Sequence, residues 1–178
     1  EELGVWGPWD KSQPLGSAGL CFNPQIPNYK EIMKEGKTLL KDTWGFTCAE
    51  AFTCVSPGMH EEFVLPYDMQ LMKLFKFVNV GCCEVLSHKI DFVKKVPNVR
   101  RISISEWCDF ERAGQEIGID YLYSYRAAGV PFVGDKLDTE GVRKELRCVL
   151  KAAQGCPLEI ILNIGGTLGG GDVRLKLI

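Results

Sequence analysis

The chain has 178 residues, 46% of them hydrophobic, which is enough for one domain with a buried core. Acidic residues number 23 against 21 basic ones, the net charge is −2, and the two signs are mixed without a basic stripe, which excludes nucleic acid or an anionic membrane surface as the main partner. No apolar run approaches the ~20 residues needed to span a bilayer, and no secretory pattern opens the chain, whose first residues, EELGVWGPWD, read as the interior of something longer.

Residues 1–27 carry Gly4, Gly7, Pro8, Pro14, Gly16, Gly19, Pro24 and Pro27, a spacing of breakers that forbids a long helix or strand. Trp6, Trp9 and Phe22 are too apolar for a free tail, so this irregular segment is expected to pack over something. Residues 28–178 read as βα units of a single domain. Pro27-Asn28 opens a helix over Tyr29–Lys41, and 43–54 is a strand candidate running into a loop. Ser56-Pro57 supplies a hydroxyl cap and a first-turn proline for a helix to about Phe77, with a break or kink at Pro66 and a core stripe of Leu65, Met69, Met72 and Phe75.

The stretch Phe77–Glu84, FVNVGCCE, reads as a buried strand ending on a glycine, two thiols and a carboxylate. A short helix over Ser87–Val96 follows, stopped by Pro97-Asn98. Arg100–Ser105 alternates as a strand, Asp109–Ile117 is a helix closed by Gly118, and Asp120–Tyr125 is a strand ending on Arg126. After a loop with Gly129, Pro131 and Gly134, Asp138-Thr139 caps a long helix through Ala153, and Leu158–Ile164 is the last strand. GGTLGGGD lacks the lysine of a phosphate-binding loop. The alternation of strands and helices predicts parallel βαβ crossovers and an α/β fold.

Eight cysteines, at 21, 48, 54, 82, 83, 108, 148 and 156, are scattered over a chain with ample core and form no CxxC pair. That distribution points to reduced thiols, a cytoplasmic protein, and mostly buried cysteines acting as small hydrophobes. Cys82 and Cys83 would face opposite sides if both lay in regular strand.

The runs SPGMHEEFVLPYDMQLMKLF, GCCE, RRISISEW and LEIIL together resemble the C-terminal part of the uroporphyrinogen decarboxylase superfamily, over about Trp44 to Arg174. The resemblance implies a (β/α)8 TIM barrel, here only about its C-terminal five strands, with the site at the C-terminal strand ends. The remaining strands would precede Glu1, or the chain would close itself by self-association. It further implies either methyl transfer between a small substrate and a corrinoid (cobalamin-carrying) partner protein, some members being zinc-dependent, or decarboxylation of a polycarboxylate. A non-catalytic assembly subunit is the alternative from another class. Where zinc methyltransferases of the family place His-x-Cys, this chain has Gly81-Cys82-Cys83, and the arginine-rich motif of the decarboxylases has no counterpart.

The strand ends then nominate a site. Cys83, Glu84 and Glu106 are the catalytic candidates; Glu50, Trp107 and Arg126 are the substrate-binding ones. A zinc ion would draw on Cys83, Glu84 and His88. Each has a plainer alternative: a buried structural thiol for Cys83, a rim carboxylate or cap for Glu84, a surface loop for Glu106, a surface ion pair for Arg126. His60 reads as a surface histidine, and Cys48 and Cys54 as core.

Overall fold

The computed structural model describes residues 25–35, 39–129, 131 and 138–162. Most of the expected N-terminal loop, part of the loop around Gly134 and the GGTLGGGD run lie outside these residues. The elements are α1 (Tyr29–Glu35), a 3-10 turn (Leu40–Asp42), β1 (Trp44–Thr47), a 3-10 turn (Glu50–Phe52), α2 (Pro57–Phe63), α3 (Leu65–Met72) and β2 (Phe77–Val80). There follow α4 (Ile90–Val93), β3 (Val99–Ile104), α5 (Phe110–Ile117), β4 (Leu122–Ala127), α6 (Thr139–Ala152) and β5 (Leu158–Leu162).

The strands form one all-parallel sheet in the order β1-β2-β3-β4-β5, each joined to the next through helix. This is the α/β architecture that the alternating pattern predicts. Local chemistry sets the helix starts as expected. Ser56 Oγ accepts from Met59 N at 3.2 Å, and Asp138 Oδ1 accepts from Gly141 N at 2.9 Å. The helix expected from Ser56 to Phe77 is two helices. Pro66 cannot sit in a helix interior, where its missing N–H and its ring both cost, so the chain breaks at Val64 and Pro66 falls in the first turn of α3. Of the predicted stripe, Leu65 and Met72 are buried and Phe75 packs against the core, whereas Met69 is exposed.

The two sheet faces differ. Val78, Val80, Ile102, Ile104, Tyr123 and Tyr125 alternate onto one face and share a single apolar core with side chains of α3, α4, α5 and α6. Gly114 lets α5 and α6 approach closely, since a Cβ there would sit 2.0 Å from the Ala152 carbonyl oxygen. The other face is polar: Asn79, Arg101, Ser103 and Ser124 are buried on it, with Glu159 beside them and Trp44 and Ile26 at its β1 end. Among the described residues no helix is long and apolar enough to cross a membrane.

The expected burial of the cysteines is corrected. Of the seven in described positions only Cys108 is buried; Cys48, Cys54, Cys83 and Cys148 are exposed, because Cys48, Cys54 and Cys83 lie in the loops at the strand ends and Cys148 on the outer side of α6.

Candidate functional site

Because all five strands run the same way, the loops leaving β1, β2 and β3 meet at one edge with the last residues of β4. The FVNVGCCE strand stops at Val80. Gly81 has φ 91°, a conformation open mainly to glycine, and it ends the strict alternation that would have sent the next two side chains to opposite faces. Cys82 Sγ and Cys83 Sγ instead lie 3.4 Å apart.

Glu84, expected as a catalytic or metal-binding acid, is 3% exposed and its carboxylate is committed elsewhere. Oε1 accepts from Ala49 N at 2.9 Å and Oε2 from Cys82 N at 2.7 Å. Its carbonyl oxygen accepts from Ser105 Oγ at 3.3 Å. One residue thus ties the loops after β1, β2 and β3 together, satisfying two backbone donors that no ladder or helix partner takes.

The Glu50–Phe52 turn is held at both ends. Glu84 grips it at Ala49, while the Lys89 ammonium, 2% exposed, donates to Phe52 O at 2.7 Å and lies 3.5 Å from Thr53 O. Held this way, Glu50 stands over the dithiol. One ligand atom each from Glu50, Cys82 and Cys83 lies within 4.8 Å of the others. Burial and hydrogen bonding to Cys83 and Glu50 push the Cys82 thiol up to about 12, and the positive charge of Arg126 opposes this. Cys48 belongs to the same neighbourhood: burial first, then the charges of Glu84, Glu50 and Cys83, raise its thiol.

Arg126 is not at the surface. It is 7% exposed, its Nε has no hydrogen-bond partner among the described residues, and its charge is felt at Cys82. A buried guanidinium N–H left without an acceptor is costly unless something completes it. The other candidates sit apart. Glu106 is raised by burial and by Glu145 of α6, and Trp107 is 70% exposed beside it. His88 is lowered by burial, then by Lys89 and Arg112, with Glu116 opposing, which places it toward α5. The donor set the fold gathers is therefore Glu50–Cys82–Cys83, in place of the expected Cys83–Glu84–His88.

Two thiols and a carboxylate fit a thiophilic divalent cation such as zinc. They supply three donors within reach of one another, and a bound metal would draw the Cys82 proton off.

Sequence reasoning missed two groups behind this edge. His60, read as a surface residue, is 4% exposed, packed against Phe92 with ring centroids 4.7 Å apart. Its Nδ1 lies 3.3 Å from Lys89 Nζ, and since an ammonium only donates, the ring must accept and be neutral. The helical position of His60 gives no hint of this, because its partner lies 29 residues away. Burial, then Lys89, lower His60 to about 4. Its folded-state value lies below its unfolded one, so its contribution to stability is complete above pH 6.5 and is lost as pH falls from 6.5 toward 4. Asp68, which burial raises, works in the opposite direction, so the His60 part is read as a difference. In urea unfolding over that range, the wild type should lose about 2 to 3 kcal/mol more than His60→Gln. Equal losses would refute a neutral buried imidazole.

Comparison with protein-family models, with curated proteins and with solved structures returns no match.

Proposed function

We propose that this chain is the C-terminal part of a (β/α)8 barrel resembling the uroporphyrinogen decarboxylase superfamily, and that its strand-end site serves methyl transfer between a small substrate and a corrinoid held by a partner protein. Support for the barrel comes from the sequential strand order and the gathering of α3 to α6 in one core against one face. A doubly wound sheet reverses its strand order, which this one does not. On the polar face, Trp44 of β1 and Glu159 of β5 both touch Arg101 of β3, which suits a concave sheet. In this reading further strands come from an N-terminal half or a second chain, and the cytoplasm is the proposed location, supported by cysteines that form no disulfide among the described residues.

The observation that carries the functional reading is the Glu50–Cys82–Cys83 group beside a buried Arg126 whose Nε has no hydrogen-bond partner among the described residues. Those three side chains would hold zinc, which when bound supplies Lewis-acid activation of a substrate heteroatom. Arg126 would orient an anionic group of the substrate with its fork of donors. Glu84 and Lys89 keep Glu50 in place, and Glu106 and Trp107 form the outer rim where the corrinoid protein docks. Arg126 also favours a second reading, decarboxylation of a polycarboxylate, in which it holds a carboxylate and no metal is needed.

Metal analysis separates these. The purified protein should take up one zinc ion; Cys83→Ala and Cys82→Ala should lose it, Glu50→Gln should weaken it by about tenfold or more, and His88→Ala should leave it unchanged. Absence of zinc from the wild type after zinc reconstitution would overturn methyl transfer. Binding of polycarboxylates lost in Arg126→Met would then support decarboxylation, and silence in both assays would leave an assembly subunit.

A further inference from the structure

Cys82 and Cys83 are neighbours in sequence with sulfurs 3.4 Å apart, in a loop freed from strand geometry by Gly81. Cys83 is exposed and Cys82 half-buried behind it. We propose that this pair is an oxidation site that closes reversibly into a vicinal disulfide when a peroxide reaches Cys83. As a property of the two thiols it stands without the metal; as a control over the site it rests on the reading above, because closure removes both sulfur ligands together.

The chemistry balances within the pair and the peroxide. The Cys83 sulfur attacks the peroxide, an S–O bond forms as the O–O bond breaks, and the leaving oxygen takes the thiol proton, giving a sulfenic acid and an alcohol or water. The Cys82 sulfur then attacks the Cys83 sulfur; S–S forms, S–O breaks, and hydroxide departs as water with the Cys82 proton. Two electrons pass from the thiols to the peroxide, and an external dithiol returns them. The sulfurs must approach by roughly 1.4 Å to reach bonding distance, which side-chain rotation can supply.

Reversibility follows from the covalent geometry. Adjacent α-carbons across a trans peptide are about 3.8 Å apart, shorter than the ~4.4–6.8 Å of ordinary disulfides. A bond forced into that span is strained, and strained, accessible disulfides are the readily reduced ones. Glu84 adds direction: by accepting from Cys82 N it anchors the backbone of the inner thiol while the outer one stays accessible.

The test uses the full-length, metal-free, reduced protein and a few equivalents of hydrogen peroxide, followed by alkylation and tryptic mapping. Residues 77–89 form one tryptic peptide holding both cysteines. That peptide should become lighter by two hydrogen atoms, unlinked to any other, and dithiothreitol should restore both alkylation sites. Cys82→Ser and Cys83→Ser should each abolish the shift, with unfolding curves recorded to show that the variants fold. Exposed Cys148 on α6 reports that oxidant was present. A crosslink to the peptide carrying Cys48, or over-oxidation of Cys83 while Cys82 stays alkylatable, would overturn the proposal. Its failure is distinct from failure of the metal reading, since zinc uptake by the reduced protein is measured separately.

Discussion

Glu84→Ala should be among the most destabilising single changes in the chain and should disperse the strand-end site. The alanine strands Ala49 N and Cys82 N, two donors now bound at 2.9 and 2.7 Å, and removes the negative charge that offsets the desolvation of Lys89. Leaving buried donors unpaired costs about 1–3 kcal/mol each, so a loss of about 3 kcal/mol in urea unfolding is expected. Glu84→Gln discriminates. Its amide oxygen can serve one backbone N–H, but its NH2 would then face the other, so glutamine should recover less than half of the loss. If Glu84 acted instead as an exposed acid, Gln would leave stability untouched. The same variants should weaken zinc uptake by about 10- to 100-fold, because the Ala49 anchor that presents Glu50 is gone. A Glu84→Gln protein as stable as the wild type would break the argument that this carboxylate is a clamp.

The strands and their parallel order were legible because apolar alternation and short βα spacing leave few alternatives; RISI and LEIIL lie in β3 and β5. Helix starts were legible at Ser56 and Asp138, where a side-chain oxygen caps its own helix within three residues. The site was legible only as a location. An acid next to a cysteine at a strand end reads as chemistry, yet Glu84 was claimed by backbone amides, one of them 35 residues away, which no local pattern reveals. Opposite facing of Cys82 and Cys83 was expected only for regular strand, and the strand ends at Val80; Gly81, at φ 91°, is the residue in the sequence that signals the stop. Glu50 lies where expected, but its orientation depends on Lys89, an unremarked residue in a short helical stretch. Long-range polar clamps of this kind leave no periodicity to read.

The largest effect on the polar face should come from Glu159→Leu. Arg101, 1% exposed, pairs with Glu159: Nη2 donates to Oε2 at 3.0 Å and Nε lies 2.7 Å from Oε1 as an ion pair, while Trp44 covers the guanidinium at 5.0 Å. Ser124 Oγ donates to the same carboxylate at 2.5 Å, so the group joins β3, β4 and β5. Removing the carboxylate takes the Glu159 charge away from a guanidinium in a dry setting, and breaking a buried pair from one side costs up to about 3–5 kcal/mol. Arg101→Met should be milder, because the Glu159 side chain retains 25% exposure and can recruit water. Replacing both, as Arg101→Met/Glu159→Leu, should restore most of the stability, since an apolar pair avoids the desolvation that the ion pair must offset. Urea unfolding of the two single variants and the double one gives the coupling directly. A Glu159→Leu protein within about 1 kcal/mol of the wild type would mean that water or another acceptor takes over the guanidinium, and the Glu159 carboxylate would then not be what ties β3 to β5.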